Sequence, residues 1–165
     1  MIKIVWIKDK YINYLRKFDE HVCFNKGQKR PYVGILFEVN NQKYYAPLSS
    51  PKPKFKEMKN YVDFIKLDGG NLGAINLNNM IPVVESSIVY IDINKLDDKK
   101  YSILLNKQLA FMKSKELEIT YKAAKLYKSY KNKTLRPDVY ARCCNYILLQ
   151  SKSKSYNPDF KYVPK

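Results

Sequence analysis

The chain contains one histidine, His21, among its 165 residues. This count excludes a ribonuclease that works with a pair of histidines and an HExxH metalloenzyme, and we set aside a Ser-His-Asp triad with them. The GxxxxGK[ST] phosphate loop is absent, and the acidic residues form no DxD-like cluster for a metal ion. We therefore expect chemistry that needs neither a metal nor another cofactor.

Cysteine is also scarce, with only Cys23, Cys143 and Cys144. An odd number with two neighbours makes a poor disulfide framework, and without a CxxC pair a zinc site is not expected. No apolar run reaches about 18 residues, so we expect no membrane span, and the first residues lack the cleavage region of a signal peptide. Reduced thiols fit a cytoplasmic protein.

Acidic residues are the third shortage, because 15 Asp and Glu stand against 31 Lys and Arg, a net charge of +16. A genomic bias toward lysine would add cations, but it would not leave the acids at half their number. We therefore expect a polyanionic partner, and nucleic acid first of all. Most of the 15 tyrosines and 7 phenylalanines belong in a core, while a few beside lysines could stack on unpaired bases.

The order of strand-like and helix-like segments predicts an α+β fold in one domain, residues 1–165. Residues 1–95 are sheet-rich, with Asn40-Asn41 as a tight turn between two strands. Residues 96–155 are helical and open at Asp97-Asp98, whose acidic side chains suit a helix start better than a metal. We predict strands at 2–7, 32–39, 43–48, 62–67, 72–77 and 81–93, a last helix at 139–149 and a basic tail at 156–165.

Two adjacent hydroxyls, Ser49 and Ser50, leave the end of the predicted strand at 43–48, and Lys52, Lys54 and Phe55 follow them. Such groups can hold a phosphodiester and a base. They can also stabilise the charge that develops when the 2′-OH of RNA attacks phosphorus. Taken in isolation, the segment is explained more simply by an ordinary serine–proline turn with solvated lysines.

A second cationic segment holds Lys26, Lys29 and Arg30, and it enters the strand that begins at Tyr32. If the Asn-Asn turn folds the two strands together, residues near Arg30 and Ser50 lie at the same end of the sheet. That end could form one pocket. An ordinary basic surface loop is the alternative interpretation.

Short motifs occur in a fixed order along nearly the whole chain. They are KYINYL at 10–15, RPYVGI at 30–35, YAPLSSPK at 45–52, LGAINL at 72–77 and MIP at 80–82. Gln108 with Phe111, and Cys144-Asn145-Tyr146 with the following leucines, extend the set toward the C-terminus. Together these motifs resemble the type III toxin–antitoxin endoribonucleases of the ToxN/AbiQ family.

The resemblance implies a compact, highly twisted antiparallel sheet with helices, related to the MazF, Kid and CcdB toxins. It implies metal-independent cleavage of RNA that leaves a 2′,3′-cyclic phosphate and a 5′-hydroxyl. It also implies inhibition by a repeat-derived RNA pseudoknot, with toxin and RNA in closed assemblies. Cellular or phage RNA would be the substrate, and abortive infection the role.

Position by position, the resemblance implies that Ser50 is the critical serine and that Ser49 supplies the preceding hydroxyl. Lys52 corresponds to an active-site lysine, Tyr11 to a tyrosine of the first helix near that site, and Arg30 to a cation that is lysine in some relatives. We assign these five residues to catalysis. The RNA-binding residues are predicted to be Lys26, Lys29, Tyr32, Lys54, Phe55, Lys113 and Lys115.

Two rival functions remain open from the sequence. A non-catalytic RNA-binding module would use the same basic face. A CcdB-like toxin would act on a protein, although such a target need not be polyanionic and would leave the large positive charge without a purpose.

Overall fold

The computed structural model describes residues 1–159, so residues 160–165 of the predicted basic tail at 156–165 lie outside the described residues. Eight strands and six α-helices fall within this range. They are β1 (Lys3–Ile7), α1 (Asp9–Arg16), β2 (Tyr32–Gly34), β3 (Glu38–Val39), β4 (Gln42–Ser49), α2 (Pro53–Glu57), β5 (Phe64–Leu67), β6 (Gly73–Asn76), β7 (Ile81–Val83), β8 (Ile88–Tyr90), α3 (Lys99–Ser114), α4 (Glu116–Lys131), α5 (Pro137–Arg142) and α6 (Tyr146–Lys154).

The sheet is antiparallel and is organised around β4. Its strand order is β5-β6-β4-β2-β1-β8, while β3 and β7 pair with the first half of β4. The last residues of β4 lie between β2 on one side and β6 on the other. The predicted α+β fold with an antiparallel sheet is confirmed, and the end of β4 is flanked by strands on both sides.

The predicted turn at Asn40-Asn41 joins β3 to β4. Both residues have positive φ angles, 51° and 61°, which is the conformation of the two central positions of a type I′ turn. Asparagine tolerates this conformation better than most residues do. The turn therefore sets the register in which β4 pairs with β3 and then with β2.

One core joins the sheet to the helical half of the chain. Leu105 and Met112 of α3, with Ile119 and Leu126 of α4, are buried in the same cluster as the apolar residues of the sheet. Asp98 caps α3, because its carboxylate accepts a hydrogen bond from the Tyr101 backbone N–H at 3.0 Å. Within residues 1–159 no helix is long and apolar enough to span a bilayer.

The single last helix predicted at 139–149 is wrong, because two helices occupy the segment. The backbone N–H of Cys144 donates to Asn78 at 2.8 Å, and that of Asn145 donates to the carboxylate of Asp19 at 2.6 Å. These contacts with distant residues interrupt the helix between Arg142 and Tyr146. The Asn145 side chain then caps α6 by accepting from Leu148 N–H.

Candidate active site

The cationic segment and the serine pair meet at one end of the sheet. Tyr32 of β2 pairs with Pro47 of β4, and the Leu48 N–H donates to the Pro31 carbonyl at 2.9 Å. Arg30 directly precedes this paired stretch and Ser49 directly follows it, so the two residues lie at the same end of the sheet. The prediction that Arg30 and the serines share a sheet end is therefore confirmed.

Ser49 is held from two directions. The Asn76 side-chain amide donates to Ser49 Oγ at 2.8 Å, which leaves the hydroxyl proton of Ser49 available to a third group. Gln108 Nε2 donates to the Leu72 carbonyl at 2.7 Å and reaches the Ser49 carbonyl at 3.4 Å. The sequence analysis assigned Asn76 no role at the site. A polar residue two positions after Ala74 in the predicted strand at 72–77, and therefore on the same face, was the available signal.

The backbone of β6 passes very close to Ser49 at Gly73. Gly73 has a φ of +108°, and a Cβ placed there would collide with the Ser49 carbonyl oxygen and lie 3.2 Å from Gln108 Nε2. Only glycine fits both the backbone angle and the space. The close approach fixes the strand end from which Ser50 emerges.

Ser50 and Lys52 are exposed and lead into α2, which has Pro53 in its first turn. The ammonium groups of Lys52 and Lys54 lie 5.8 Å from the centroid of the Phe55 ring. A shallow cavity of about 390 Å³ adjoins the turn and is lined by Pro51, Lys52, Pro53, Lys56, Glu57, Gly70 and Asn71. The hydroxyl of Ser50 and the cation of Lys52 are therefore both open to a ligand.

Phe55 does not offer a face to a base. Its side chain is 3% exposed and forms a small cluster with Phe64 and Ala74. The two phenyl rings have centroids 5.5 Å apart. The prediction that Phe55 stacks on RNA is therefore replaced by a packing role, in which the ring anchors α2 on the sheet beside Ser49.

The segment before Arg30 is tied to the start of α1 by Asn25. The Asn25 side-chain amide donates to the Ile7 carbonyl and to the Asp9 carboxylate, both at 2.7 Å. The backbone carbonyl of Asn25 accepts from the N–H groups of Lys29 and Arg30. Lys26 and Lys29 are exposed on this loop. Their positions beside Arg30 agree with the predicted cationic arm.

Arg30 also contacts the backbone of Phe24, whose exposed ring was not predicted from the sequence. Its Nε donates to the Phe24 carbonyl at 2.5 Å, and the Phe24 side chain is exposed to solvent. The Arg16 guanidinium lies 3.6 Å from the centroid of that ring. A phenylalanine inside an otherwise polar loop was the only signal in the sequence.

Tyr11 and Tyr32, which were predicted at the site, are core residues, and neither hydroxyl is open to a ligand in this structure. The Tyr11 hydroxyl donates to the Pro82 carbonyl at 2.5 Å and contacts Ser153 Oγ at 3.0 Å. Pro82 pairs with Tyr44, five positions before Ser49, which is roughly 16 Å of strand. Tyr32 is fully buried, and burial raises the pKa of both hydroxyls far above their ordinary value.

Lys113 and Lys115 lie apart from the turn. They are exposed at the junction of α3 and α4, five and seven residues after Gln108, or about 8–11 Å along the chain. Neither side chain lines the cavity beside the turn. Within residues 1–159, no group of three or more His, Cys, Asp or Glu side chains is placed to hold a metal ion.

The family model described as Toxin ToxN, type III toxin–antitoxin system, matches residues 3–154. Endoribonuclease ToxN of Bacillus thuringiensis subsp. kurstaki is 35% identical over 162 residues, covering 91% of this chain and 81% of that protein. Endoribonuclease ToxN of Pectobacterium atrosepticum is 30% identical, with 96% and 95% covered. Endoribonuclease AbiQ of Lactococcus lactis subsp. lactis is 30% identical, with 94% and 90% covered.

Solved structures agree with these relatives. A chain from work on selective toxin inhibition by a non-coding RNA pseudoknot in type III systems has a TM-score of 0.80 and 32% identity, with 94% of this chain and 97% of that chain covered. AbiQ, a lactococcal anti-phage endoribonuclease of a type III system, has a TM-score of 0.79 and 26% identity, with 94% and 98% covered. The chain therefore belongs to the ToxN family of toxins from type III toxin–antitoxin systems.

Proposed function

We propose that this endoribonuclease of the ToxN family cleaves RNA at the turn formed by Ser49, Ser50 and Lys52, together with Arg30. The observation that carries the proposal is the antiparallel register that brings Arg30 and Ser49 to the same end of the sheet. Two hydroxyls and two cations then lie at the end of β4 where the chain enters the turn. A phosphodiester is the ligand that such a set suits best, because hydroxyls orient its non-bridging oxygens and cations balance its charge.

In the proposed reaction the 2′-OH of one nucleotide attacks the adjacent phosphorus. A bond forms between O2′ and phosphorus while the bond from phosphorus to O5′ breaks. The proton lost from O2′ is balanced by the proton gained on the departing O5′. The products are a 2′,3′-cyclic phosphate and a 5′-hydroxyl, and no metal takes part.

Each polar group of the turn has a part in this reaction. Ser49 accepts from Asn76, so its own proton can point to a non-bridging oxygen. Exposed Ser50 supplies a second hydroxyl to the same phosphate. Lys52 and Arg30 stabilise the extra negative charge on the five-coordinate phosphorus.

We assign the chain an RNA partner as well as an RNA substrate. Its net charge of +16 favours any polyanion, and one of the similar structures concerns a toxin inhibited by a non-coding RNA pseudoknot. We therefore propose a repeat-derived pseudoknot RNA as the inhibitor, bound in a closed toxin–RNA assembly. Cytoplasmic action on cellular or phage RNA, as in abortive infection, follows from these partners.

The test is to incubate the purified protein with RNA in EDTA and to analyse the ends of the products. Wild-type protein is expected to yield cyclic-phosphate ends, and Ser50→Ala to cleave at least about 100-fold more slowly, as expected for the loss of one oriented donor. Ser151→Ala, which removes an exposed hydroxyl on α6, is the matched control and retains full activity. Full-rate cleavage by Ser50→Ala would exclude the site, and binding without cleavage by wild type would support the non-catalytic module.

A further inference from the structure

Phe24 displays an aromatic ring to solvent on the loop that leads into Arg30. The side chain is 70% exposed, although phenylalanine is among the residues most often found inside proteins. Covering such a ring would remove apolar surface from water and would be favourable. Its exposure on an ordered loop points to a ligand that covers it.

Contacts from Arg16, Arg30 and Asn25 hold the ring and the backbone on either side of it in place. The Arg16 guanidinium lies 3.6 Å from the ring centroid, and Arg16 also donates to the Val22 carbonyl. The carbonyl of Phe24 accepts from Arg30 Nε, and Asn25 ties the next residue to Ile7 and Asp9. A ring held in this way loses little conformational freedom when a ligand binds to it.

Arg30 connects this ring to the sheet end that carries the turn. Its backbone lies one residue before Pro31, whose carbonyl accepts from the Leu48 N–H, and its guanidinium bonds the Phe24 carbonyl. A strand of RNA whose phosphate rests on Arg30 and Ser49 would therefore carry a neighbouring base toward the loop that holds the ring. The cations of Arg16 and Arg30, which both contact Phe24, suit the phosphates that flank such a base.

We propose that the Phe24 ring is the stacking platform for one unpaired base next to the scissile phosphate, and that it contributes to the choice of cleavage site. This inference rests on the proposed function, since it locates the phosphate at the serine turn. Single-stranded RNA is bound by aromatic rings that stack on splayed bases. A purine overlaps the ring more than a pyrimidine does, so a purine is favoured at that position.

The experiment replaces one base at a time. A short RNA with a single cleavage site is made with an abasic ribonucleotide, which retains its 2′-OH, at each position around the cut. For wild-type protein, one position is expected to lose roughly 5- to 150-fold in kcat/KM, the range of base–aromatic stacking. For Phe24→Ala, cleavage of the intact RNA already shows this fall in kcat/KM. The abasic substitution at that position then causes no further fall.

Conservative variants separate stacking from packing. Phe24→Leu keeps an apolar side chain without a planar ring and should behave as Phe24→Ala does, whereas Phe24→Tyr should restore the wild-type pattern. Ile103→Ala, which truncates a 55% exposed side chain on α3, is the matched control and should leave the abasic pattern unchanged. Equal abasic penalties for wild type and Phe24→Ala at every position would overturn the proposal.

The same coupling can be measured without cleavage. Two proteins are compared, Ser50→Ala with Phe24 retained and Ser50→Ala combined with Phe24→Ala. Their dissociation constants for the intact and the abasic RNAs give the same comparison. If Ser50→Ala cleaves at full rate, the cleavage turn is wrong, while a base-specific coupling to Phe24 still establishes the platform. If Ser50→Ala is inactive and the coupling is absent, the turn stands and the platform fails.

Discussion

Gly73 passes so close to Ser49 that a side chain of any size would move one of them. With φ at +108° and the Ser49 carbonyl in the path of a Cβ, Gly73→Ala must displace the strand end that carries the serines. We expect a loss of stability of about 1–3 kcal/mol from the backbone angle alone. We also expect a fall in the cleavage rate at temperatures where the variant is fully folded.

Gly69 offers the matched control for this experiment. It also has a positive φ, +60°, but no atom of residues 1–159 lies within 4 Å of a Cβ built there. Gly69→Ala should therefore cost about 1 kcal/mol in stability and leave cleavage intact. If both variants cleave RNA equally well when folded, the contact between Gly73 and Ser49 does not position the turn.

Aromatic residues mark the limit of what the sequence could reveal about single side chains. Tyr11, Tyr32 and Phe55 are predicted near RNA, yet all three are buried, while Phe24 is exposed. The outcome for a ring depends on partners far along the chain, such as Ser153 for Tyr11. The serines and Arg30 could be placed because one local turn determines their register.

The same contrast holds for whole elements. The alternation of apolar residues and the Asn-Asn turn are local signals, and they located β1, β4 and the hairpin correctly. The break between α5 and α6 depends on the bonds from Cys144 to Asn78 and from Asn145 to Asp19, which no local pattern contains. Helix α2, at five residues, is too short for a helical period to be recognised.

Helix α3 provides a prediction about an element, because it carries Gln108 to the Ser49 carbonyl. Its first turn depends on the carboxylate of Asp98, which accepts from the Tyr101 N–H. Asp98→Ala should lower the free energy of unfolding by about 1 kcal/mol, the usual loss for an N-cap. Urea unfolding measures the change, and the RNA cleavage rate at 25 °C should stay constant because the rest of α3 remains packed in the core.

Asp97→Ala separates the effect of the Asp98 capping hydrogen bond from the effect of a negative charge at the start of α3. Asp97 is the exposed neighbour of Asp98, so its substitution removes the same charge from the same helix start. A loss of only a few tenths of a kcal/mol is expected from the helix dipole. Equal destabilisation by the two substitutions would mean that the charge, and not the hydrogen bond to Tyr101, stabilises this end of α3.

At the scale of the whole molecule, buried thiol and phenol groups make the fold sensitive to alkali. Burial raises the pKa of Cys144 well above its ordinary value of 9.0, and burial likewise raises the pKa values of Tyr32, Tyr44 and Tyr146 above 10.0. The folded protein keeps these groups neutral, whereas the unfolded chain lets them ionise. Their contribution to stability is therefore complete below pH 9 and is lost as the pH rises toward the folded-state values.

We expect the free energy of unfolding to fall steeply from about pH 9 upward, by about 1.4 kcal/mol per pH unit for each group that is ionised only in the unfolded chain. Urea unfolding at constant ionic strength between pH 7 and pH 11 measures this slope. Above pH 9, Cys144→Ala should flatten the slope by up to one such increment. The reason is that the Cys144 thiol supplies part of the first proton that the chain releases on unfolding in this pH range. Val139→Ala, a truncation of another buried side chain without a titratable group, should lower the whole curve and keep the slope. A slope unaltered by Cys144→Ala would mean that this thiol ionises equally in the folded and unfolded chain, contrary to its burial beside Cys23, Cys143 and Asp19.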